Sequence, residues 1–125
     1  MGRLCLIHLD GKIYSCRICH SHLATPGDLM AKNFHCRHGT AYLFKTVVNV
    51  GIGKLEERQM TTGLHTVADI YCICCRKILG WKYVTAQVND QKYKEGKFIL
   101  ERKMIAGGEG HELRDEEVLG SDGDE

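Results

Sequence analysis

The chain has 125 residues, 43% hydrophobic and 26% charged, with a net charge of +1. That length fits one domain with a small core, and no apolar run approaches the roughly 20 residues of a membrane-spanning helix. The near-neutral total hides an asymmetry: residues 107–125 hold eight acidic residues and one Arg, whereas residues 1–106 hold 16 Lys and Arg against eight Asp and Glu.

The opening "MGRLCL" approaches an N-myristoylation pattern, but Leu6 stands where Ser or Thr is required. Met1 to Leu9 lack a small-residue cleavage site, so no secretory signal is expected there. "KIYSCR", 12–17, predicts a strand entering a turn. "HSHLATPGDLMAKNFHCRHG", 20–39, reads as irregular, with Pro26-Gly27 as a turn signal and Asp28 capping a short helical turn. "TAYLFKTVVNVGIG", 40–53, is the clearest strand, rich in β-branched and aromatic residues. Tyr42, Phe44, Thr46, Val48 and Val50 share one face at period two, and Gly51 and Gly53 are expected to end the strand. "KLEERQMTT" predicts an exposed or edge strand. "GLHTVADIYC" predicts the strand that delivers a second cysteine turn, and "KILGWKYVTAQV", 77–88, leads away from it. "QKYKEGK" reads as a polar turn and "KFILERKMI" as a final strand. The acidic, Gly-rich tail 107–125 has no aromatic residue and is expected to be disordered, leaving 1–106 as the folded domain. Strand signals dominate at short spacing, so the fold class is all-β and antiparallel.

Seven cysteines occur, at 5, 16, 19, 36, 72, 74 and 75. An odd number without a secretory signal argues for a reducing, intracellular compartment rather than a disulfide framework. Cys16-x-x-Cys19 and Cys72-x-x-Cys75 make a four-thiolate set suited to one tetrahedral zinc ion. A two-residue gap lets a tight turn aim both sulfurs at one point, with backbone N–H groups facing the thiolates. Cys74 and Cys75 are adjacent and their side chains diverge, so Cys74 reads as a bystander. Cys5 and Cys36 have no close cysteine partner and read as small apolar residues. Four protein ligands close the site, making the metal structural. The histidines at 20, 22, 35, 38 and 111 find no vacancy in a four-cysteine set and read as surface residues. The basic body raises nucleic-acid binding, but its positive residues are scattered, which favours a solvated surface.

"YSCRICHSHLA", "FHCRHGTAYLF", "VVNVGIG", "GLHTVADIYCICC", "GWKY" and "QKYKEGKFILE" together resemble the Yippee-like proteins over residues 3–103. The 52 residues separating Cys19 from Cys72 (20–71) also match that family's pattern. The "FHCRHG" form is similar to plant members; animal members tend to carry glycine where Cys36 sits.

The resemblance implies two antiparallel sheets in a β-tent, with one zinc ion at the apex on Cys16, Cys19, Cys72 and Cys75. It extends the same architecture to the Mis18 centromere proteins, the ligand-binding domain of cereblon and the zinc-bearing methionine sulfoxide reductases. The reductases place a nucleophilic cysteine on a later strand, but residues 76–125 contain none, so a non-enzyme is expected over a sulfoxide reductase. The cereblon likeness implies an aromatic pocket with Trp81 as one wall and His65 as a second, against the plainer reading that Trp81 fills the core. The function implied is a monomeric, zinc-stabilised binding module in the nucleus or cytoplasm. It would act through protein contacts in a ubiquitin-ligase or cell-division assembly, with no membrane and no nucleic-acid partner. The alternatives are a reductase-like enzyme or a nucleic-acid-binding zinc protein.

Overall fold

The computed structural model describes residues 6–108 and the backbone of 122–123. The reading of the first five residues, and nearly all of that made for the acidic tail, falls outside this range. Strands β1 (Tyr14–Cys16) and β2 (His22–Ala24) form a small sheet with β9 (Ile105–Gly107), in the order β2-β1-β9. The large sheet holds β3 (Leu29–Cys36), β4 (Gly39–Phe44), β5 (Val50–Met60), β6 (Gly63–Cys72), β7 (Ile78–Ala86), β8 (Phe98–Glu101) and β10 (Asp122–Gly123). Its order is β10-β3-β4-β8-β7-β6-β5, and every pairing but that of β10 on β3 is antiparallel. The fold is all-β, with two antiparallel sheets. Among the described residues no helix is long and apolar enough to cross a membrane.

Side-chain alternation divides the core in two. Tyr42, Phe44, Ile70, Leu79 and Leu100 of the large sheet pack with Tyr14, Leu23 and Ile105 of the small sheet, and Cys16 and Cys72 belong to this cluster. Phe34, Leu43, Val67, Trp81, Tyr83 and Ile99 form a second cluster. Each fully buried side chain of this kind contributes roughly 1.5–3 kcal/mol. A short 3-10 turn, Asn89–Lys94, carries Lys94 against that second cluster, where it is 0% exposed. Its ammonium lies 5.0 Å from the Phe34 ring and 5.2 Å from the Tyr83 ring, and donates to Thr62 Oγ1 at 3.1 Å. Cation–π attraction and this hydrogen bond offset part of its desolvation.

Three expectations change. Residues 20–39 are not irregular: β2 and β3 lie within them, separated by the 3-10 turn Pro26–Asp28. The single strand expected at 40–53 is two strands. After Phe44 the chain turns, with Lys45 N–H donating to Asp28 O and Val48 N–H to Leu23 O at 2.8 Å each. Val47, not Val48, is therefore the buried residue, and Thr46 is exposed. Gly51 and Gly53 do not end a strand; they lie near the start of β5, where the register with β6 shifts between Ile52 and Leu55. The Tyr71 ring covers Gly51 so closely that any Cβ there would overlap it. Lastly, "KFILERKMI" is broken by the 3-10 turn Arg102–Met104, so β8 ends in the large sheet and β9 pairs with β1 in the small one. Arg17 fastens this crossover, its Nε donating to Lys103 O at 2.9 Å and its Nη2 to Ile105 O at 2.8 Å. The edge strand expected from "KLEERQMTT" lies in β5, with Leu55, Glu56 and Glu57 exposed.

Candidate metal centre

The two cysteine turns are copies of one motif. Cys16 N–H donates to Ser21 O and Cys72 N–H to Lys77 O, both at 2.9 Å. His20 N–H donates back to Cys16 O at 2.8 Å, and Arg76 N–H to Cys72 O at 2.7 Å. Four residues after the first cysteine, each turn has a non-glycine residue in the left-handed region, His20 at φ 67° and Arg76 at φ 68°. The matched pattern extends into the core. Leu23 and Leu79 each follow their first cysteine by seven positions, and both are fully buried. Hairpins β1–β2 and β6–β7, one from each sheet, thus end in equivalent loops that meet tip to tip.

Their sulfurs converge. Cys16, Cys19, Cys72 and Cys75 place their Sγ atoms within 4.8 Å of one another. Cys16 and Cys75 are 3.7 Å apart, and Cys19 and Cys72 are 3.4 Å apart. A tetrahedral zinc ion with Zn–S near 2.3 Å sets its sulfurs about 3.8 Å apart, so the four thiols fit that ion. The fit also rests on ionisation, since thiolates are the ligands. Burial pushes the Cys16 thiol up, and Cys72 up to about 12. Burial works the same way on Cys19, but hydrogen bonds from Ser21, Cys72 and Cys16 outweigh it and bring that thiol down to about 6. The Ser21 hydroxyl sits 3.2 Å from Cys19 Sγ. Cys74 is exposed and lies outside the cluster.

Asn49 was not singled out by the sequence, yet it ties the centre to its surroundings. Its Oδ1 accepts from Ile7 N–H at 2.8 Å, and its Nδ2 donates to Ile7 O at 2.8 Å and to His22 O at 2.7 Å. Its carbonyl accepts from Ile73 N–H, inside the second cysteine turn, at 3.0 Å. It adopts φ 61°, a conformation that Asn tolerates better than most residues. The available signal was an Asn just before a glycine-bearing strand.

Trp81 and His65 are not brought together. Trp81 is 3% exposed, packs edge-on against Tyr83 at 6.1 Å, and also lines an open cleft of about 360 Å3. Arg37, His38, Arg58, Asp69 and Glu101 contribute to the same cleft. Arg58 bridges Glu56 and Asp69, at 2.9 Å from Asp69 Oδ1. His65 is buried beyond Tyr83, with ring centroids 5.2 Å apart, and its Nδ1 meets Gly63 O at 2.9 Å. It does not line the cleft. Trp81 thus both packs in the core and borders the cleft; the charged walls come from strands whose pairing the sequence does not reveal.

Fold and site together define a two-sheet β protein whose sheets are joined by a four-cysteine centre of zinc-binding type. The chain belongs to the Yippee-Mis18 family: the family model, described as Yippee zinc-binding/DNA-binding/Mis18, centromere assembly, matches residues 12–117. It is 55% identical over 128 residues to a yippee-like protein of Solanum tuberosum, covering 100% of this chain and 99% of that one. Human protein yippee-like 4 is 50% identical over 99 residues, covering 79% of this chain and 78% of its own. The crystal structure of a Mis18 "Yippee-like" domain superposes with a TM-score of 0.62 at 11% identity, covering 82% of this chain and 97% of the other. That likeness is one of fold.

Proposed function

We propose that this chain is a non-catalytic binding module, held in shape by one structural zinc ion, that acts through protein contacts. The cleft beside Trp81 carries this reading: it is open, charged on its walls and apolar at Trp81, whereas the four-cysteine centre has no coordination position left for a substrate. The large sheet and its β3–β4 turn present the cleft, and the metal ties that sheet to the small one. The family's description by centromere assembly supports placing the module in a cell-division assembly; a ubiquitin-ligase assembly is the other setting, and nucleus or cytoplasm the expected location. The module is taken to work as a monomer.

Arg37 is exposed on the cleft wall, so Arg37→Glu tests the reading without disturbing the core. Proximity labelling in cells should show a defined set of neighbours lost by Arg37→Glu and kept by Lys45→Glu, a change at an exposed turn residue outside the cleft lining. Neighbours unaffected by Arg37→Glu would refute the cleft as the docking site. Binding to DNA that collapses as salt rises from 50 to 200 mM would replace the reading with a nucleic-acid one.

A further inference from the structure

The hairpin between β3 and β4 reads Cys36-Arg37-His38-Gly39, and β8 runs beside β4 with Glu101 opposite Ala41. These pairings bring Cys36 Sγ, a His38 ring nitrogen and a Glu101 carboxylate oxygen within 4.8 Å of one another. His38 Nδ1 lies 3.2 and 3.4 Å from the two carboxylate oxygens of Glu101. Cys36 is half-buried against the Trp81 cluster, Glu101 is mostly covered and His38 is exposed. We propose that Cys36, His38 and Glu101 form a second, weaker site for a zinc-class divalent ion, separate from the four-cysteine centre and independent of the binding-module reading.

The chemistry of the three side chains selects the ion. Thiolate, imidazole and carboxylate together suit zinc and its neighbours, whereas calcium and magnesium demand oxygen throughout. Two of the three ligands are anionic when the thiol ionises, which neutralises a divalent ion. The ligands also stand on rigid pieces of the fold. Two occupy a hairpin turned by Gly39 at φ 119°, and the third ends a strand in the middle of the large sheet. Little ordering entropy remains to be lost on binding. The metal would replace the hydrogen bond between His38 and Glu101 while keeping both side chains near their present positions.

Three protein ligands leave a fourth position open. His38 and Glu101 both line the Trp81 cleft, so the open position faces a space large enough for water or a small oxygen donor. The four-cysteine centre is closed and joins the sheets; this site is open and lies along one of them. Its three ligands and exposed imidazole make it the weaker of the two.

The test uses the full chain in a thiol-free reductant, with Cys5→Ser and Cys74→Ser removing stray thiols and one zinc equivalent already bound. A second equivalent is titrated against a chromophoric chelator, and cobalt is then used as the second ion. The expected result is one further ion per chain, with a thiolate-to-cobalt charge-transfer band. His38→Gln and Glu101→Gln should keep the first zinc and the native melting curve while weakening the second ion beyond the roughly 10–100-fold expected from losing a mere supporting contact. Cys36→Ala should also remove the charge-transfer band. If Cys36→Ala disturbs the fold, His38→Gln, at an exposed position, decides the matter. No uptake of a second ion, equal uptake by His38→Gln, or a cobalt band that survives a folded Cys36→Ala would each overturn the proposal.

Discussion

Replacing Asn49 should cost far more than its half-buried position implies. Its side chain makes three hydrogen bonds, two to Ile7 and one to His22. At about 0.5–1.5 kcal/mol each, with the two exposed bonds at the low end, their loss amounts to about 2 kcal/mol. Alanine adds about 1 kcal/mol because the backbone sits at φ 61°. Glycine avoids that second penalty. The expected order of stability is therefore wild type, then Asn49→Gly lower by about 2 kcal/mol, then Asn49→Ala lower by about 3 kcal/mol. Urea unfolding at saturating zinc measures all three, with a slope of roughly 1–3 kcal/mol per molar urea converting the midpoints. Asn49→Ala within about 0.5 kcal/mol of wild type, the range of an ordinary surface change, would refute the Asn49 side chain as the tie between the N-terminal segment and β2. Asn49→Gly no more stable than Asn49→Ala would refute the backbone part of the argument.

A methyl group at Gly80 would overlap the Ile99 carbonyl oxygen across β7 and β8, so Gly80→Ala should destabilise by about 3 kcal/mol, at the upper end for overpacking; thermal melting close to wild type would count against this close approach. Acid should release zinc and unfold the chain together, because the ligands must be ionised. The lowered Cys19 thiol stabilises the fold above its ordinary value, and that stabilisation is lost as pH falls through about 6. The raised Cys72 thiol acts in the opposite sense without metal, contributing below its ordinary value and losing that contribution as pH climbs through about 12. A pH series followed by zinc release and circular dichroism should therefore show one joint transition on the acid side; zinc loss without unfolding there would contradict the structural role.

The four-cysteine cluster was legible because the spacing is local: each Cys-x-x-Cys pair is made by one turn, and only their meeting required the fold. Strand-forming composition likewise marked β1, β6 and β7. The break after Phe44 was not legible, since the β-branched run continues through Thr46, Val47 and Val48, and only bonds to Asp28 and Leu23 turn the chain there. The small sheet was hidden for the same reason. Pairing of β9 with β1 joins residues far apart in sequence, and nothing in "KFILERKMI" itself announces the turn at Arg102–Met104. Cys36 looked solitary because its neighbours His38 and Glu101 carry no cysteine spacing; strand register alone brings Glu101 beside the hairpin.

One zinc ion on Cys16, Cys19, Cys72 and Cys75 is proposed to join the two sheets. X-ray absorption at the zinc edge, on the full chain loaded with a single equivalent, tests it directly. Four sulfur scatterers at about 2.3 Å, with no nitrogen or oxygen in the first sphere, are expected; chelation of that same sample should unfold it, as structural zinc contributes on the order of 10 kcal/mol. A mixed nitrogen or oxygen sphere, or a chelated chain that keeps its native near-ultraviolet spectrum and melting temperature, would contradict the account.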